Sequence, residues 1–308
     1  MDTKHKEMQF LGAFQIFEET YKIISKNKKI FAMSALCFIH PLNFILSGFM
    51  FTLNYILRNL HDYGNTSHLF SSNYMTVVFP YDIIYIFFLF VWSILSTAGV
   101  SQTVAALYNG QEPSIKDIMS VVVKVWKRLL VTFLCVILVF FIYHMIVGLA
   151  LFIIILPLGK VDRTTLGVAF VFYFVGLLYL VVVLQLSGVV SVLEESSGFK
   201  AMAKSRLLLK ENMVSATVIV LAIYSGFGIL LWLEALTRKM LFSTSSTVAI
   251  WMHLLGSLSL DLLILVFLLW RLVSETMIYF VCKSYKHERI DMSSVSDHDP
   301  ILLGSLEC

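Results

Sequence analysis

Apolar residues fall into six long runs, at about 30–57, 82–107, 129–157, 166–192, 213–235 and 248–282. A helix needs ~20 apolar residues to cross a hydrocarbon core of ~30 Å, and every run reaches that length. The period-two alternation of a membrane barrel strand is absent, so the runs predict helices. Several exceed the minimum, which predicts tilt or extension into the interface.

Shorter segments precede alternate runs. Phe10, Phe14, Phe17, Tyr21 and Ile24 recur every three or four residues, with Gln15, Glu18, Glu19, Lys22 and Lys26 on other faces. Ile115, Ile118, Met119, Val122 and Trp126 share one face, opposite Lys116, Asp117, Ser120, Lys124 and Lys127. Pro113 stands just before this segment, and Ser114 with Asp117 gives it a capping-box pattern. Phe199, Met202 and Ala203 oppose Lys200 and Lys204 less cleanly, with Ser197 as the candidate cap. A unit of amphipathic helix, span, span therefore occurs three times, starting near residues 10, 114 and 197. The expected architecture is an all-α, polytopic transmembrane helix bundle of about six spans in three hairpins. Each hairpin is preceded by a cytosolic amphipathic helix in the headgroup region. The alternative is that these segments pack as ordinary helices on the bundle end. The chain divides into an N-terminal cytosolic segment (1–29), a membrane domain (30–282) and a polar cytosolic tail (283–308) expected to be disordered.

The basic residues orient the bundle. Of the 23 Lys and Arg, seventeen precede span one, lie between spans two and three or four and five, or follow span six. Five lie in the other loops, and Arg271 lies within span six. Cytosolic loops carry the excess of Lys and Arg, so both termini are expected in the cytosol. The single sequon, Asn65-Thr66-Ser67, falls on the opposite side and is a candidate glycosylation site. The first apolar run follows a charged segment and is too long for the core of a signal peptide.

Composition agrees: 58% of residues are hydrophobic and 14% charged, and mean hydropathy is +0.84. A soluble domain carries about a quarter charged residues. The net charge of +3 is too small to argue for nucleic acid. Cys37, Cys135, Cys282 and Cys308 form neither a disulfide framework nor a zinc site. Cys282 borders the membrane and is a candidate for palmitoylation.

Ionisable residues within lipid are expensive and mark candidate functional positions. His40, His144, His253, Asp261, Arg271 and Glu275 qualify. Asp261, within Leu260-Asp261-Leu262, is the sharpest, as a proton or cation site. Two registers of span six are open. A core at 249–270 centres Asp261. A core near 262–282 puts Asp261 at the lumenal edge and centres Arg271, which can pair with Glu275 four residues on. His40-Pro41 predicts a kink in span one. Gly99, Gly148, Gly167, Gly176 and Gly188 read as close-packing positions.

Enzyme motifs are absent: no His-Glu-x-x-His, P-loop, Gly-x-Ser-x-Gly or dinucleotide fingerprint occurs. Glu194-Glu195 resembles the paired glutamates of membrane CAAX-type proteases, but Phe199 stands where those proteases require arginine. The pair reads instead as a complement to the N-terminal dipole of the third amphipathic helix. No cofactor or metal is expected.

Val192-Leu193-Glu194-Glu195 through Gly198, Ala201, Ser205 and Leu209, with Met277 through Glu288, resembles a family of plant multipass membrane proteins. That family is sometimes labelled as binding a polyadenylate-binding protein. The first motif is also distantly similar to the membrane domain attached to some glycerophosphodiester phosphodiesterases. The resemblance implies a plant endomembrane or plasma membrane and transfers no catalytic residue. The expected function is a non-enzymatic membrane scaffold or adaptor, with the lipid bilayer and proteins at the cytosolic helices and tail as partners. The alternative is a transporter or channel for a small solute, although Gln185, Ser187, Ser257 and Ser259 make a sparse polar path.

Overall fold

A computed structural model describes residues 12–49, 52, 79–111, 113–158, 163–210, 212–243 and 247–286. Eight helices are described: α1 (Ala13–Lys26), α2 (Lys28–Phe49), α3 (Phe79–Tyr108), α4 (Ile115–Leu158), α5 (Arg163–Leu193), α6 (Phe199–Leu209), α7 (Met213–Ser243) and α8 (Thr247–Tyr285). Among the described residues there is no strand. Six helices are long and apolar enough to cross a membrane: α2, α3, α4, α5, α7 and α8. They match the six apolar runs, and the chain is an integral membrane protein. The sequon at Asn65, Phe10 and the tail beyond residue 286 lie outside the described residues.

The second short segment differs from its expectation. It is not a separate helix: α4 runs unbroken over 44 residues. At a rise of 1.5 Å per residue it is ~66 Å long, about twice a hydrocarbon core. No glycine or proline occurs before Gly148, so nothing ends the helix between Trp126 and Leu129. Its start is as read, with the Ser114 N–H donating to Asp117 Oδ2 at 3.3 Å. The third segment, α6, begins behind Gly198 (φ 60°), with no side-chain cap hydrogen bond, so Ser197 does not cap it.

The stripe expected on α1 divides between two faces. Ile16 and Thr20 are buried, and the Phe17 ring packs tilted against Trp270 of α8, centroids 5.0 Å apart. Phe14 and Tyr21 point away, 82% and 69% exposed. In α2 a π-helical turn, Ala35–Ile39, precedes His40-Pro41. Pro41 has no N–H, and in a regular helix its ring meets the carbonyl four residues back, at Cys37; the wider turn relieves that contact. The turn also seats Phe38 against Gly99 of α3, where an added Cβ would stand 2.7 Å from the ring.

The helices bury side chains mainly at one end. Phe31, Val104, Val122, Val190, Ile219 and Phe280 come from all six spans and are at most 1% exposed. This is the lysine-rich end, where α6 also packs. Helix α8 touches α1, α2, α3, α5, α6 and α7. Toward the other end α4 and α5 expose Phe141, Ile146, Phe152, Phe170 and Phe172. Such faces suit lipid, whose tails are as apolar as leucine.

Candidate functional site

Polar side chains inside the bundle gather at three levels along the helix axes.

At the lysine-rich end, the α5–α6 turn carries Glu194. Its Oε1 accepts from Tyr279 Oη (2.8 Å) and Lys283 Nζ (3.0 Å), both on α8. Its Oε2 pairs with Lys204 Nζ of α6 at 2.7 Å. Lys283 also donates to Tyr279 Oη (3.1 Å), and Arg128 of α4 reaches the Glu194 carbonyl at 3.5 Å. Burial alone pushes the Glu194 carboxyl up. Hydrogen bonds from Lys204, Lys283 and Tyr279 outweigh that and hold it below the usual carboxylate range. Nearby, the Gly198 N–H donates to Thr132 Oγ1 at 2.9 Å, which lies 2.9 Å from Ser191 Oγ. Glu194 is therefore a tie between α5, α6 and α8 rather than a dipole complement alone.

The second level lies deeper. Arg271 Nε donates to Glu275 Oε1 at 2.7 Å, the pairing the four-residue spacing anticipated. Gln185 Nε2 of α5 donates to the same Oε1 (2.8 Å) and to Tyr224 Oη of α7 (2.6 Å). The guanidinium stands 5.6 Å over the Tyr224 ring. These four side chains, with Ser93 and Thr97 of α3 and Phe133, Val136 and Phe140 of α4, line a cavity of about 180 Å³. Five of the six spans contribute to its wall. Glu275 and Arg271 precede Lys283 by eight and twelve residues, so the cavity lies ~12–18 Å from the Glu194 level.

The third level is the far end. Ser47 Oγ donates to Asp261 Oδ1 at 2.7 Å and lies 3.4 Å from Glu234 Oε1. Asn43 Nδ2 donates to the Asp261 carbonyl at 3.0 Å. Asp261 precedes Lys283 by twenty-two residues, ~33 Å of helix. Along α8, Arg271 therefore lies between the Glu194 level and the Asp261 level.

The structure thus joins Arg271 with Glu275 and places Asp261 apart from them. Glu234, 1% exposed within the span Met213–Thr237, escaped the sequence reading. Its signal was present, a carboxylate inside the apolar stretch Trp232-Leu233-Glu234-Ala235-Leu236. His144 is hydrogen-bonded, with Nδ1 2.7 Å from the Phe140 carbonyl and Nε2 3.1 Å from Tyr173 Oη. His40 is exposed, and the side chain of His253 lies outside the described residues. Cys282 is 1% exposed, so acylation there requires the end of α8 to unpack. Among the described residues no three His, Cys, Asp or Glu side chains gather as a metal site.

No curated protein and no solved structure matches the chain. A family model does, over residues 1–307, and the chain belongs to that family, described as a domain of unknown function, DUF8558.

Proposed function

We propose that this protein is a six-span, non-enzymatic membrane protein that binds a small polar solute midway through the bundle and passes it across the bilayer. The mid-depth cavity carries this reading. Ionisable groups at bilayer depth are expensive and persist where they face one another or a wet space. A volume of about 180 Å³ is room for about six waters at ~30 Å³ each. Its wall offers a guanidinium, a carboxylate, an amide and a phenol. Asp261, the residue first singled out for transport, stands in this reading at the far mouth beside Ser47 and Glu234.

The excess of Lys and Arg at the Glu194 end makes that end cytosolic, with both termini there. Placement in a plant endomembrane or plasma membrane rests on the sequence resemblance alone. The test is uptake into liposomes of glycerol, urea, glycine, acetate and ethylamine, with Ser93→Phe as a variant that fills the cavity. At least one solute should enter faster than into protein-free liposomes, and the variant should stop it. Uptake no faster than the blank, or untouched by the variant, would sink the reading.

A membrane scaffold or adaptor is the second reading, and α1 favours it. Phe14 and Tyr21 are seven residues apart on one exposed side of that helix. Two such rings suit a headgroup interface or a partner helix, with α1 as the amphipathic element. Phe14→Ser with Tyr21→Ser should then reduce crosslinking of α1 to lipid or protein neighbours. Unchanged crosslinking would remove the support.

A further inference from the structure

We infer that the cavity at Arg271 and Glu275 takes a small zwitterion of the α-amino acid class, an inference that rests on the solute-binding reading above. Arg271 uses only Nε, toward Glu275, among the described residues. Its two Nη nitrogens keep four N–H donors, and the side chain is 27% exposed. Glu275 receives Arg271 and Gln185 on Oε1 alone, so Oε2 has no donor among the described residues. Gln185 Oε1 is buried and accepts no hydrogen bond. One wall of the cavity thus offers unmatched donors with positive charge. Beside it stand unmatched acceptors with negative charge.

A carboxylate fits the first, since a guanidinium binds two parallel oxygens. An ammonium fits the second, donating to Glu275 Oε2. Arg271 and Glu275 sum to zero charge. A zwitterion keeps the filled site neutral. A lone anion or cation leaves a net charge in a low dielectric, which is costly. Neutral polar solutes keep the charge balance but lose the charge-assisted hydrogen bonds. Space for about six waters limits the ligand to roughly that many heavy atoms, the size of glycine or alanine. Phe133, Val136 and Phe140 give a methyl group an apolar wall.

The test is binding of radiolabelled alanine to the purified protein in nanodiscs, with unlabelled competitors. Glycine should compete like alanine. Acetate, ethylamine and glycerol should each be at least about tenfold weaker, the scale of one charge-assisted hydrogen bond. Tryptophan should not compete, being too large. Glu275→Gln, nearly isosteric, should weaken alanine and strengthen acetate, because Arg271 is then an unbalanced cation; a purely structural Glu275 would give no such reversal. The competition series needs no variant, so a failure of Glu275→Gln to fold leaves the test intact.

Glycerol or urea binding better than alanine would overturn the zwitterion and leave the solute-binding reading standing. Acetate equal to alanine would do the same, in favour of an anion site. No binding of any probe would overturn both.

Discussion

Arg271 and Glu275 meet at 2.7 Å across one turn of α8, with Gln185 of α5 on the same carboxylate oxygen. Their worth to the fold is asymmetric. A paired buried charge is nearly balanced against its desolvation, whereas a widowed one is not. Arg271→Ala should therefore destabilise by about 3 kcal/mol, near the low end for a broken buried pair because a cavity adjoins it. Arg271→Met combined with Glu275→Leu should recover most of that loss. Thermal melting of single and double variants in one detergent measures the coupling. A double variant no more stable than Arg271→Ala would contradict it.

Gly99 sets how closely α2 and α3 approach. An added Cβ would lie 2.7–2.8 Å from three atoms of the Phe38 ring. Phe38 is itself 2% exposed, so the ring has little room to retreat. Gly99→Ala should cost about 1–3 kcal/mol, the range for overpacking a filled core. Adding Phe38→Leu should return part of it. Melting temperatures of the three variants decide the point, and an unchanged Gly99→Ala protein would refute it.

Glu194 should make stability depend on pH. Its carboxyl titrates below the usual range when folded, held by Lys204, Lys283 and Tyr279. A depressed folded-state pKa stabilises above the unfolded value, near 4.5, and that contribution fades as pH falls through the folded value. Wild type and Glu194→Gln should differ most in melting temperature at neutral pH. The gap should narrow below about pH 4. A gap of constant width from neutral to acid would exclude this role.

The spans were legible because a membrane demands long apolar runs, and nothing else in the chain resembles them. Arg271–Glu275 was legible because one helix turn joins them. Ser47 with Asp261, Gln185 with Glu275 and Glu194 with Tyr279 were not. Each pair is 85 or more residues apart, and hydropathy does not say which helix faces which. The faces of α1 were misassigned for a related reason. Periodicity marks Phe14, Phe17 and Tyr21 as one stripe, but a flanking helix buries whichever side its neighbour can take. Here Trp270 meets Phe17, while Ile16 and Thr20 turn inward.

The unbroken α4 makes the last prediction. Read as an interfacial helix followed by a span, residues 115–126 would be joined to Leu129 through a flexible Lys127-Arg128 link. A proline at 127 would then be nearly harmless, because the link has no helical hydrogen bond to lose. In the continuous helix the Lys127 N–H belongs to the ladder, and a proline ring there meets the Val123 carbonyl. Lys127 is exposed, so its side chain adds little of its own. Lys127→Pro should cost about 3 kcal/mol, and Lys127→Ala should be near neutral. The proline should also disturb the Arg128 and Thr132 contacts with the Glu194 turn, which sit one and five residues further on. Thermal melting separates the outcomes: a proline variant as stable as the alanine variant would mean that α4 is two helices.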